Sequence, residues 1–180
     1  TMVLLNSKPL PVGWKAVDFN LPSTDGRSYT LSNFNNKEFL LIFFTCNHCP
    51  YAKASWPIII GLSREYVDKV NFVAINPNDD KDNPDDSFEA MKTKISEWGI
   101  SFPYLRDETQ EVAKAYDAQC TPDIYLFKKT EGDFTLFYHG RVNDNWQKPT
   151  EVKEENLKDA LELITTGGQP PKDQHPSMGC

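Results

Sequence analysis

A chain of 180 residues, 39% hydrophobic and 12% aromatic, carries enough apolar material to close one core, so a single domain is the expectation. Lys and Arg total 19 against 26 Asp and Glu, and the net charge of −7 opposes binding to a nucleic-acid backbone or an anionic membrane surface. No stretch approaches the roughly 20 apolar residues of a membrane span, and segment 1–13 lacks both the basic start and the apolar run of a signal peptide. The expectation is a cytoplasmic protein, or a periplasmic or exported one if a leader has been removed ahead of Thr1.

From the N-terminus, Phe19 and Leu21 alternate with polar neighbours, Asp25-Gly26 is a hairpin turn, and Tyr29 and Leu31 resume the alternation. A short helical turn is expected at Ser32 to Phe34. Phe39 to Phe44 is wholly apolar and too short for a helix, which predicts a central strand buried on both faces. A helix follows to about Val67, with a kink or break expected at Trp56-Pro57 because proline removes a backbone donor. Val70 to Ile75 reads as the next buried strand, and Asn76 to Ser87, dense in Asp, Asn and Pro, as a loop. Its acidic part, Asp79 to Asp86, lacks the glycine and closing Glu of an EF-hand and reads as solvated.

Phe88, Met91, Ile95 and Trp98 recur at helical spacing, with Gly99 as a stop. Phe102 to Leu105 then predicts a strand and Glu108 to Tyr116 a helix. Ile124 to Phe127 and Phe134 to Tyr138 read as strands joined by a polar turn. The loop Arg141 to Trp146 offers an exposed-looking Trp, and Glu154 to Ile164 carries Leu157, Leu161 and Ile164 on one helical face. This order gives a βαβ half, a crossover helix and a ββα half: an α/β, thioredoxin-like fold with a central mixed sheet flanked by helices and an N-terminal β-hairpin extension. The division expected is a domain over 1–166 and an extended C-terminal tail over 167–180 that shows no periodicity.

Four cysteines are too few for a disulfide framework, and one pair forms a motif: Cys46 and Cys49, at the end of the buried strand and the start of the helix. At this spacing the two side chains share one helix face and their sulfurs can bond. Unpaired amides and the positive end of the helix dipole favour a thiolate at Cys46, the expected nucleophile. Cys49 is then the resolving thiol. His48, between them, tunes the thiolate by charge or hydrogen bonding. Pro50 falls in the first helical turn, with Asn47 as the expected cap. Thr121-Pro122 stands at a strand entrance, where a cis peptide would free the backbone of Thr121 to pair with a bound chain; both residues are the expected substrate wall. Cys120 beside them is a buried hydrophobe or an auxiliary thiol, and Cys180 a mobile third thiol or an inert terminal residue.

The stretches Asp18-Phe19-Asn20-Leu21-Pro22, Cys46-Asn47-His48-Cys49-Pro50-Tyr51, Tyr104 to Thr109, Cys120-Thr121-Pro122-Asp123 and Ser177-Met178-Gly179-Cys180 resemble the peroxiredoxin-like branch of the thioredoxin superfamily. These are redoxin-type proteins grouped with alkyl hydroperoxide reductase and thiol-specific antioxidant domains. The resemblance implies a thioredoxin fold with Cys46 and Cys49 as the redox pair and Thr121-Pro122 as the cis-proline site. Two departures matter. Phe39 and Phe43 stand where a peroxidatic motif carries Pro and Thr, and Leu40 stands where thioredoxin carries a buried acid.

The expected function is therefore thiol-disulfide exchange through Cys46 and Cys49, with no cofactor and no metal. Its partners would be a disulfide-containing protein or small molecule and an electron donor or acceptor, without nucleic acid or membrane. The alternatives are a thiol peroxidase using Cys46, and a redox-inert metal-binding or chaperone module with copper held by Cys46, Cys49 and a His.

Overall fold

The computed structural model describes residues 4–81 and 83–180. The leader reading at residues 1–3 and the Asp82 position of the acidic loop lie outside that range. In chain order the strands are β1 Leu5–Asn6, β2 Leu21–Pro22, β3 Ser28–Tyr29, β4 Phe39–Phe44, β5 Val70–Asn76, β6 Tyr104–Arg106, β7 Asp123–Thr130, β8 Asp133–Gly140 and β9 Met178–Gly179. The helices are α1 Pro50–Glu65, α2 Phe88–Trp98, α3 Glu111–Ala115 and α4 Asn156–Thr165.

Five strands form the central sheet in the order β6-β5-β4-β7-β8. β4 pairs in parallel with β5 and antiparallel with β7, so the sheet is mixed and the fold thioredoxin-like. The alternation of side chains along β4 divides the core in two. Leu41 and Phe43 pack with Trp56 and Ile59 of α1, Met91 of α2 and Leu157 and Leu161 of α4. Leu40, Ile42 and Phe44 pack on the other face with Phe19, Leu21, Phe34 and Tyr116. Thus α1, α2 and α4 cover one face, while the β2–β3 hairpin and the α3 region cover the other. That is why every residue of β4 is apolar.

α1 runs without interruption through Pro57, where the sequence predicts a kink or break. Pro57 is exposed, and the carbonyl it leaves without a donor belongs to Lys53, also on the water side, so solvent can satisfy it. α2 ends as its sequence signals, with Gly99 in the left-handed conformation, and its start is capped by Ser87, whose Oγ accepts from the Ala90 amide at 3.1 Å. The β7–β8 turn is tighter than expected, with Glu131 and Gly132 both at positive φ. Segment 167–180 runs back along the domain. β9 pairs with β1, and the Ser177 hydroxyl donates to Gly140 O at 2.6 Å. Among the described residues no helix is long and apolar enough to cross a membrane.

Phe43 is fully buried and meets Trp56 and Phe102 edge to face. Phe43→Ala is expected to cost about 3–5 kcal/mol, read as a lower urea midpoint at unchanged slope. A loss under about 1 kcal/mol would contradict the packing described.

Candidate active site

β4 delivers Thr45 to the edge of the sheet, where its amide bonds Ile75 O at 2.9 Å, and the chain then turns through Cys46 to Cys49 into α1. The N-cap of α1 is Cys49, not Asn47, and Pro50 occupies the first helical position, where a missing N–H costs nothing. Asn47 is instead buried: it accepts from Tyr104 Oη at 2.8 Å and donates to Asp85 O at 2.8 Å. Trp56 Nε1 donates to Cys46 O at 3.1 Å, which ties the turn to the core face of the helix.

The peptide Thr121-Pro122 is cis and lies against the cysteine turn. The Thr121 hydroxyl is 3.5 Å from Cys46 Sγ, and Thr121 O is 3.7 Å from Cys49 Sγ. Cys46, Cys49, Thr121 and Pro122 are therefore brought together. Cys120 is buried nearby with its Sγ turned toward Pro122 O at 3.6 Å, and burial raises its thiol far above the usual range. A mobile, unengaged Cys180 is not what the structure contains. Cys180 forms a disulfide with Cys49, and Cys46 is a free, fully buried thiol. Burial pushes that thiol up to about 11; the Thr121 hydroxyl pulls against the rise, and the Asp86 carboxylate adds to it. With this disulfide closed, the helix-start effect expected to favour a thiolate at Cys46 is outweighed by lost solvation.

The acidic loop is not solvated throughout. Asp86 is completely buried beside the cysteine turn. Its Oδ1 accepts from the Asn47 amide and from Asn76 Nδ2, and its Oδ2 meets His48 Nδ1 and Asn78 Nδ2. His48 is thus turned to a carboxylate. Atoms of Cys46, His48 and Asp86 lie within 4.8 Å of one another, a set of metal-ligand type. Each Asp86 oxygen already engages two protein donor groups, which fill the four lone-pair directions of a carboxylate, so the cluster is built as a hydrogen-bond network. Sequence reasoning missed Asp86 because it stands in a run of like residues. Asp123 was missed as well. It follows Pro122, is fully buried, and pairs with His139 Nε2 at 2.7 Å.

A cleft of about 270 Å³ opens beside Pro122, lined by Tyr51, Ile58, Trp146 and Met178 among others. Trp146 is half-buried and packs on Tyr51 at a ring separation of 4.0 Å.

Residues 12–132 match the model of the AhpC/TSA family. The chain belongs to that family. Two solved structures resemble this AhpC/TSA protein over nearly its whole length. An uncharacterized conserved protein from Geobacillus kaustophilus is 40% identical with a TM-score of 0.92, covering 100% of this chain and 95% of its own. A hypothetical protein from Sinorhizobium meliloti 1021 is 33% identical with a TM-score of 0.88, covering 97% and 95%. The thiol-disulfide oxidoreductase ResA of Bacillus subtilis (strain 168) is 24% identical over 144 residues, 79% of this chain and 75% of its own.

Cys46 in the oxidised AhpC/TSA protein is expected to remain a thiol through neutral pH and to ionise near pH 11, followed by the NMR shift of its Cβ. Asp86→Asn removes a negative charge that opposes the thiolate, so its midpoint should fall. A Cys46 already ionised at neutral pH, or a midpoint unmoved by Asp86→Asn, would contradict this account.

Proposed function

We propose that this protein is a thiol-disulfide oxidoreductase in which Cys46 attacks a substrate disulfide and Cys49 resolves the adduct. The observation that carries the reading is the convergence of Cys46 Sγ and Cys49 Sγ on one residue, Thr121, at a cis X-Pro peptide facing the start of α1. A chain laid along Thr121 presents its sulfur to the cysteine turn. The relationship to ResA, whose name states this activity, agrees with it.

In the reduced protein the Cys46 thiolate attacks one sulfur of the substrate disulfide, forming a mixed disulfide and expelling the first substrate thiolate. The Cys49 thiolate then attacks Cys46 Sγ, which closes Cys46–Cys49 and expels the second. The substrate gains two electrons and the protein loses two. The two protons given up by Cys46 and Cys49 leave with the substrate thiols.

Thr121 and Pro122 form the wall against which the substrate backbone pairs, and the cleft beside Pro122 receives its side chains. His48, held by Asp86, keeps a polar ring at the cysteine turn to tune the thiolate. Cys120, buried with its sulfur turned to Pro122 O, takes no part in exchange. The substrate is a protein or small molecule carrying a disulfide, and an external dithiol returns the protein to its reduced form.

Reduced wild type should reduce insulin disulfides, and Cys46→Ser should fall to the uncatalysed rate. Cys49→Ser should accumulate a mixed disulfide with the substrate. Full activity in Cys46→Ser would overturn the reading. Fast hydrogen peroxide consumption lost in Cys46→Ser would replace it with a peroxidase, and stoichiometric metal retention without exchange with a metal-binding module.

A further inference from the structure

In the structure both cysteines of the proposed exchange pair are out of reach. Cys46 and Cys49 are fully buried, and the segment that covers them ends in the cysteine bonded to Cys49. The manner of covering is specific. The Thr121 amide donates to Cys180 O at 3.0 Å, and the Cys180 amide donates to Thr121 O at 3.3 Å. This reciprocal pair of backbone bonds is how an extended chain adds to an exposed strand edge. Segment 177–180 therefore sits on the substrate wall as a substrate would.

The seat is built for this segment. A Cβ on Gly179 would lie 2.0 Å from Thr121 O and 2.6 Å from Thr121 C, so position 179 accepts no side chain while the segment is docked. Upstream, the Ser7 amide donates to Ser177 O at 2.9 Å and the Ser177 amide to Ser7 Oγ at 2.8 Å, and β9 continues this pairing with β1. Of the three cysteines at the site, Cys180 is the one that retains solvent exposure.

We propose that Cys180 is a third redox cysteine, which takes the disulfide from the Cys46–Cys49 pair and presents it at the surface to an external dithiol. This rests on the exchange reading above. After substrate reduction has closed Cys46–Cys49, the Cys180 thiolate attacks Cys49 Sγ. The Cys49–Cys180 bond forms and the Cys46–Cys49 bond breaks; the proton lost by Cys180 ends on Cys46, and no electrons enter or leave. Segment 177–180 docks on Thr121 as this bond forms, and Cys46 is buried as a thiol. A dithiol then attacks Cys180 Sγ and expels the Cys49 thiolate. Its second thiol displaces Cys180, and the dithiol leaves as a disulfide, having supplied two electrons and two protons. The segment is released and the wall is open for the next substrate.

The test follows the disulfides through one turnover. Fully reduced protein is mixed with insulin, quenched at intervals with N-ethylmaleimide and mapped by mass spectrometry under non-reducing conditions. The expected course is Cys46–Cys49 first, then Cys49–Cys180 with Cys46 alkylated. In Cys180→Ser the mapping should stop at Cys46–Cys49. So should Gly179→Ala, which keeps every thiol but obstructs the seat.

Two results overturn the proposal: Cys46–Cys49 as the stable oxidised form of wild type with Cys180 fully alkylated, or a Cys49–Cys180 bond that persists unchanged through reduction and turnover as a staple would. The first leaves the exchange reading intact. That reading fails separately, through full insulin-reducing activity in Cys46→Ser.

Discussion

β4 is shielded from water on both faces and hydrogen-bonded on both edges, to β5 and to β7. A strand held in this way has no freedom to slide, because a one-residue slip would exchange the side chains between two differently shaped cores. The point at which the chain leaves the sheet is therefore fixed, and with it the cysteine turn. β7 is the antiparallel neighbour of β4, and Asp123 stands directly opposite Phe44. The same pairing thus brings Thr121-Pro122 against Cys46. The two halves of the site are 75 residues apart in sequence but meet because two strands share a register.

Local pattern carried much of this. The apolar run at Phe39, the alternation around Asp25-Gly26 and the helical spacing from Phe88 to Trp98 each specify an element through neighbours a few residues away, and the structure contains each of them. Thr121-Pro122 was legible for the same reason, since a proline immediately before a strand is a strong local constraint. Pro57 shows the limit of local rules. Its effect depends on which side of the helix faces water, and that is decided by packing.

At the site, the misses concern partners. Asp86 is chemically the same as its neighbours Asp79, Asp80 and Asp85; what sets it apart is three asparagines and a histidine converging from β5, the following loop and the cysteine turn. The partner of Cys49 lies 131 residues away, and cysteine spacing does not encode connectivity. Asn47 read as a helix cap because its residue type suits one, yet Tyr104 claims it from across the site. In each case the deciding atom belongs to a distant part of the chain.

The Asp86 knot also bears on motion. Its carboxylate holds the cysteine turn, the end of β5 and Asn78, while its carbonyl accepts from Arg106 Nη1 at the end of β6. Segment 83–87 cannot drift away from the cysteine turn one contact at a time, because withdrawing Asp86 would strip Asn47, His48, Asn76 and Arg106 of it together and leave several without partners in a dry interior. That segment and the cysteine turn therefore open as one cooperative unit or stay closed, and the breathing of the segment is tied to that of the redox site.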